Sequence, residues 1–424
     1  MYVERLRLTD FRNYADLDLT LPRGLVVFTG RNAQGKSNLL EAATLVATSK
    51  SFRTTSEREA VRWGASTLFA RVDATVVRRA DTLHVEVVIA DPGVPLEGTP
   101  PRPAADPALP QPPVAPFRKR IRVNGAPRRA LDLLGQVTIV VFAPTDLDLV
   151  IGSPIQRRRF LDMTLCQVHP AYCRALSQYQ KVIAQRAALL RRIKEGEDSP
   201  HALGYWDEQL ARLAAPIMRE RAAFLTQAEV TAAAIYHTLS PDQDDLDNLD
   251  NPDAGEGAAI SPDAPAGAGD AAAALQLVYR PSYDGPLAGD EAAVVAAIKA
   301  RLVELRRREI AQGANVLGPH RDDLAFLAGG VDLSTYGSRG QQRSVALALK
   351  LAELSYIERA TGDQPILLLD DVLSELDAQR RTDLLAAVRE LEQVLLTTTD
   401  TGSLPPEALA HAHVYRVRGG RVTH

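Results

Sequence analysis

Sulfur and aromatic residues are scarce in this chain: its 424 residues include two Cys, three Met and two Trp, and aromatics make up 5%. Two cysteines exclude a disulfide-stapled framework and a Cys-rich metal centre. Cys166 and Cys173 are seven positions apart in a helical-looking segment, which places both on one face and reads as buried, reduced thiols. No apolar run approaches the roughly twenty residues that a bilayer span requires. Met1-Tyr2-Val3-Glu4-Arg5 has no apolar signal region, so the expectation is a cytoplasmic protein with no membrane partner.

One stretch lacks cations altogether. Between Ser240 and Leu275 lie nine Asp and Glu and no Lys or Arg, and without those nine the formal charge of −4 becomes +5. The remainder is mildly basic, as suits a localised nucleic-acid face. At 46% hydrophobic and 24% charged residues, the chain can bury a large core in two or more domains.

Among the motifs present, Gly30-Arg31-Asn32-Ala33-Gln34-Gly35-Lys36-Ser37 fits the phosphate-binding loop pattern, between strand-like Leu25 to Thr29 and helix-like Asn38 to Thr48. Glycines let the backbone curl so that its N–H groups face an anion, and a helix N-terminus adds roughly half a positive charge. Lys36 is expected to bridge the outer phosphates and Ser37 to hold Mg²⁺, with Asn38 completing the ATP-binding set. A second element, Ile366 to Leu369, runs into Asp370-Asp371, placing two carboxylates at the C-terminal end of a buried strand, where open α/β sheets bind ligands. Asp370 is expected to position the metal, and Asp371 to orient water or act as base.

The α/β texture is interrupted. Strands alternate around one helix to about residue 150, with a Pro- and Ala-rich insertion at about 91–117. Residues 151–312 read as long amphipathic helices (Ile155 to Ile193, Tyr205 to Leu239, Glu291 to Gln312), with an acidic stretch at about 240–274 of disordered composition. From 313 to 424 the α/β pattern returns, with a helix over Ala378 to Leu391 and a strand over Val394 to Thr398. The expected fold class is α/β, an ATPase head of mixed sheet and helices split by an inserted, mainly helical domain.

Ser338-Arg339-Gly340-Gln341-Gln342 opens a helix, and Ser374-Glu375-Leu376-Asp377 follows the paired carboxylates. In this order the chain resembles the ATP-binding-cassette superfamily, with its signature motif, acidic strand and D-loop (Ser374, Asp377). Taken alone, Ser338 also reads as an ordinary N-cap. Phe11-Arg12-Asn13-Tyr14, Lys50 to Thr54, Phe142 to Leu147, Gly152-Ser153-Pro154 with Arg157 to Asp162, and Gly318 to Asp323 extend the likeness end to end. In these stretches the chain is similar to the RecF family of bacterial recombination-mediator ATPases.

That resemblance implies an ATP-switched clamp. Two copies would close on ATP, each signature motif completing the other's site, engage duplex DNA near a single-strand junction, and reopen after slow, DNA-stimulated hydrolysis. It further implies the partners RecR and RecO, and RecA loading at gaps. Three features depart from the wider superfamily: Asp371 stands where transporters carry Glu, no switch histidine is found, and no end-of-strand glutamine.

Arg12 and Arg53 are candidates for phosphate or DNA contact. Arg157, Arg158 and Arg159 cannot share one helix face, so one is expected to pair internally while others touch DNA backbone. His320 to Asp323 reads as a structural or interface network rather than a catalytic one. Two other classes fit the sequence less well. A chromosome-structural ATPase of the long coiled-coil kind needs heptad arms that residues 155–312 do not supply, and a transporter's ATPase subunit needs a membrane partner.

Overall fold

The computed structural model describes residues 1–54, 56–94, 117–239 and 274–424. Apart from their margins, the Pro-rich and acidic stretches expected at about 91–117 and 240–274 lie outside these residues. The described strands, in chain order, are β1 (Tyr2–Phe11), β2 (Tyr14–Thr20), β3 (Gly24–Thr29), β4 (Phe69–Val77), β5 (Thr82–Ala90), β6 (Arg118–Val123), β7 (Ala126–Arg128), β8 (Ile139–Phe142), β9 (Gln276–Arg280), β10 (Asp323–Ala328), β11 (Val331–Asp332), β12 (Ile366–Asp370), β13 (Gln393–Thr398), β14 (His413–Arg418) and β15 (Arg421–Thr423). They belong to two compact units, Met1–Pro144 with Ile357–His424, and Thr145–Tyr356.

In the first unit an antiparallel sheet runs β2-β1-β4-β5-β6-β7. Strict alternation drives it: β4 buries Ala70, Val72, Ala74 and Val76 and turns Arg71, Asp73 and Thr75 outward. The second sheet runs β15-β14-β3-β13-β12-β8, parallel except for the β15 edge. Its central strands β12 and β13 are buried at every residue, as parallel strands covered on both faces must be. The helix Lys36–Thr48 packs against strands of both sheets, and its small residues Ala42, Ala43 and Ala47 permit close approach on both sides.

The second unit holds the helices Pro154–Val168, Pro170–Lys194, Leu203–Leu239 and Glu291–Gln312 and the antiparallel sheet β11-β10-β9. Residues 313–356, grouped with the ATPase half in the sequence reading, fall in this unit. The reason is non-local: β10 pairs with β9, and the adjoining carboxylates reach the helices. Arg221 donates to Asp162 Oδ1 (2.7 Å) and Pro319 O (2.6 Å) and lies 3.5 Å from Asp322, whose Oδ1 accepts from Ser282 N–H at 2.8 Å. Arg186, fully buried, donates to Asp207 (2.7 Å), Glu309 (2.6 Å) and Asn315 (2.7 Å). Pro319 and Asp322 thus take part in a buried hydrogen-bond network. Burying these charges is tolerable only because each is answered.

Two helical expectations change. Cys166 and Cys173 sit on successive helices rather than one face of one helix, because Pro170 sets a break at His169, which is extended (φ −117°, ψ 93°); both thiols are buried and in no disulfide. The helix expected to Leu391 ends at Ala387. Pro216, by contrast, is carried inside the helix Leu203–Leu239.

Candidate nucleotide-binding site

The phosphate loop leaves β3, which is flanked by β13 and β14, and enters the helix at Lys36. Both glycines are dictated by space as well as backbone. Gly30 has φ 150°, and a Cβ there would sit 2.4 Å from Val417 O. Gly35 has φ 114°, and a Cβ would come within 2.7 Å of the Asn13 amide. The loop is braced from two sides. Asn13 Nδ2 donates to Gln34 O (2.8 Å) and the Tyr14 hydroxyl to Gly35 O (3.0 Å), while Asn38 Nδ2 donates to Asn13 Oδ1 (2.8 Å). From the β14–β15 hairpin, Gly419 N–H donates to Gln34 Oε1 (2.8 Å) and Gly420 N–H to Gln34 O (3.1 Å). Arg31, Asn32 and Ala33 form the exposed rim, and Ser37 is half-buried in the first helical turn.

Lys36 is 6% exposed, and its Nζ donates to Gly30 O (2.6 Å) and Arg31 O (3.1 Å). Burial pulls its pKa below the usual lysine value, opposed by the charges of Asp371 and Asp370. Those two carboxylates end β12, one strand away from β3 across β13. Between them stands Thr397 on β13. Its hydroxyl donates to Asp370 Oδ1 (2.8 Å) and accepts from Asp371 N–H (2.9 Å), which fixes Asp371 in the left-handed region at φ 54°. Burial pushes the Asp371 carboxyl above the ordinary value; Lys36 pulls it down, and Asp370 and Glu375 push it further up. Ser374 Oγ donates to Asp371 O (2.7 Å), and Asp377 caps the helix Ala378–Ala387 by accepting from Arg380 N–H (2.9 Å).

A curled loop that admits no Cβ at two points, a helix N-terminus, a buried ammonium and two facing carboxylates fit a triphosphate with a divalent cation. The other concave feature described, a trough of about 330 Å³ on the outer face of the antiparallel sheet, suits an anion less well. Its arginines are largely answered in place, Arg5 and Arg7 by Asp18, and Arg71 by Asp73 and Glu86.

The candidate arginines separate. Arg12 forks onto the fully buried Glu41 (2.9 and 2.6 Å), and Arg53 Nη1 donates to Asn38 Oδ1 (2.7 Å) and lies 4.0 Å from Glu41. Both therefore border the loop's helix through Glu41, a residue the sequence reading passed over. Arg157 is buried, with its fork on Asp323 (2.7 and 3.0 Å) and Nη1 donating to Gly152 O (2.8 Å), so it is not available to DNA. Arg158 donates to Asp322 O (2.6 Å), and Arg159 is exposed.

The signature stretch lies in the second unit, opening the helix Arg339–Thr361. Ser338 and Gln341 form a reciprocal capping box: Ser338 Oγ accepts from Gln341 N–H (3.2 Å) and Gln341 Oε1 accepts from Ser338 N–H (2.8 Å). Arg339 is exposed, Gly340 half-buried, and Gln342 buried with Nε2 donating to Leu333 O (3.1 Å). Sequence reasoning missed Thr397, Glu41 and the bracing role of Asn13 and Tyr14. Of these, only the Phe11 to Tyr14 string gave any local signal.

Residues 5–88 match the family model described as an AAA domain. A protein of Chloroflexus aurantiacus named DNA replication and repair protein RecF is 39% identical over 436 residues, covering 100% of this chain and 99% of that protein. A protein of the same name from Geobacillus thermodenitrificans is 36% identical over 424 residues, with the same coverage. Among solved structures, one described as the recombination mediator protein RecF-ATPrS in the RecFOR pathway superposes with a TM-score of 0.80 at 27% identity, covering 99% of this chain and 97% of that one. Another, described as RecF-ATP in that pathway, gives 0.79 at 26% identity, covering 100% and 97%. The chain belongs to the RecF family of DNA replication and repair proteins.

Proposed function

We propose that this protein is an ATP-dependent DNA clamp of recombinational repair, working as a slow, DNA-stimulated ATPase switch. The observation that carries this is a loop that admits no Cβ at Gly30 or Gly35, with buried Lys36 held on its Gly30 and Arg31 carbonyls, in the same sheet as the strand that runs into Asp370 and Asp371. The solved relatives described with ATP and an ATP analogue support the same ligand.

In this reading residues 30–38 cradle the triphosphate, and Lys36 exchanges its loop carbonyls for the outer phosphate oxygens. Ser37 and Asp370 would hold Mg²⁺, which would supply charge neutralisation to the phosphates. Asp371, its carboxyl pushed up by burial, accepts a hydrogen bond from the attacking water. The exposed N-terminus of the helix opened by Ser338 suits an anion, so Ser338 to Gln342 of one copy complete the site of a second, with Ser374 and Asp377 at the same junction. ATP then links two copies, and the closed homodimer grips duplex DNA beside a single-strand junction. RecR and RecO are its partners, and RecA loading is the outcome.

Light scattering of the protein with ATP, ADP or neither, repeated with gapped DNA, tests this. A monomer with ADP and a dimer with ATP are expected. An unchanged mass with ATP sinks the clamp.

A further inference from the structure

Trp63 is 96% exposed, the highest value among the exposed large hydrophobic side chains described. An indole can bury on the order of 150–250 Å² in an aromatic contact, so leaving it in water forgoes a large packing gain. Nor is it on a slack segment. It occupies the turn Arg62 to Ala65, closed by Ala65 N–H donating to Arg62 O (3.1 Å), with Gly64 at φ 76° supplying the left-handed position. Both flanks are tied to Asp10: Arg62 N–H donates to Asp10 O (2.8 Å), Arg62 Nε to Oδ1 (2.6 Å) and Thr67 Oγ1 to Oδ2 (2.6 Å). The ring is thus held out by a rigid base, and little ordering entropy remains to oppose a contact.

The charges nearby select the contact. The carboxylates of this segment that would repel a polyanion are answered from within, Glu57 by Lys119 (2.6 Å) and Glu59 by Arg12 (3.6 Å). Arg58 is exposed, and the Arg62 side chain is one-third exposed. Leu68 is the one other exposed large hydrophobic among the described residues of this unit, and two side chains are too few for an extended apolar patch. A lone indole among guanidinium groups has the composition of a base-stacking platform.

We propose that Trp63 stacks on an unpaired base of bound DNA while the exposed Arg58 meets a flanking phosphate, so that this turn reads the single-stranded side of a junction. The proposal rests on the DNA-clamp reading above.

Trp206→Phe leaves Trp63 as the one tryptophan. In that variant with ATP, a duplex carrying a single-stranded tail should quench the emission strongly and a blunt duplex weakly. Trp63→Ala should weaken binding of the tailed duplex by roughly 5- to 100-fold and leave blunt-duplex binding and DNA-free ATP hydrolysis unchanged. Trp63→Phe, which keeps a ring, should fall between. A side chain this exposed contributes no packing, so Trp63→Ala should fold normally. Equal losses on both DNAs, or none on either, overturn the proposal. So does loss of ATP-dependent dimerisation without DNA, which would mark the indole as a contact between copies. If the unaltered protein binds neither DNA, the clamp reading itself fails and the stacking role falls with it; if it binds both and Trp63→Ala matches it, the stacking role alone fails.

Discussion

Thr397 donates its hydroxyl to Asp370 Oδ1 across 2.8 Å and accepts the N–H of Asp371 at 2.9 Å, so one β13 side chain holds the carboxylate of Asp370 and the backbone of Asp371. Thr397→Val is nearly isosteric and removes only that link. It should lower stability by about 1–3 kcal/mol, the cost of an unanswered buried polar group, and slow ATP hydrolysis more than it weakens ATP binding. Urea unfolding alongside nucleotide titration and steady-state turnover would check it. Unchanged turnover would show that Asp371 needs no such brace.

Lys36→Ala should abolish measurable ATP affinity, since nothing else described in the loop supplies a buried cation. Asp371→Asn should bind ATP normally yet lose hydrolysis and accumulate as the closed dimer. Equilibrium dialysis and light scattering separate the two. Wild-type turnover in Asp371→Asn would remove this carboxylate from the chemistry.

Ser338 has two duties that substitution can divide. Ser338→Asp keeps a good N-cap acceptor, and so the capping box, but adds a negative charge where the other copy's phosphate is to be read. Nucleotide binding should persist while dimerisation fails, and the bulkier Ser338→Arg should do the same. Normal ATP-dependent dimers in both variants would show that the signature does not work across subunits.

His320 makes stability depend on pH. Burial holds its pKa down to about 4, with Arg321, Arg158 and Arg186 adding to the depression and the Asn315 carbonyl opposing it. That carbonyl lies 3.4 Å from Nε2 and can only accept, so the ring proton sits on Nε2 and Nδ1 accepts from the Tyr179 hydroxyl at 2.6 Å. The unfolded chain takes up a proton near pH 6.5, whereas the folded one does so only near 4. Its contribution is therefore complete above about pH 6.5 and lost as pH falls toward 4, by on the order of 3 kcal/mol. His320→Gln should flatten the unfolding free energy between those limits, and an unaltered slope would refute the assignment.

The loop at Gly30, the carboxylates at Asp370 and the strands around them were legible because each is a local string with its own period and punctuation. Thr397 was not, since it reaches Asp370 across 27 positions and sits in an unremarkable threonine run. That one of Arg157, Arg158 and Arg159 pairs internally was legible, but not which, because nothing nearby announces Asp323 as the partner of Arg157, 166 positions away. The grouping of residues 313–356 differs from the compact units for the same reason: periodicity reports which face is buried and not what covers it. The break at His169 had a local signal in Pro170, although Pro216 shows that a proline alone does not decide the matter.

The parallel sheet also constrains how this protein is made. β3 forms its hydrogen-bond ladders only with β13 and β14, and Val3 N–H donates to Gln393 Oε1, 390 positions further on. A nascent chain can stack β1, β2, β4 and β5 as hairpins soon after they leave the ribosome, but its phosphate loop has no floor until β13 and β14 have been translated. Throughout synthesis the apolar faces of β3 and β8 lack their neighbours, so chaperone capture should fall on this interval.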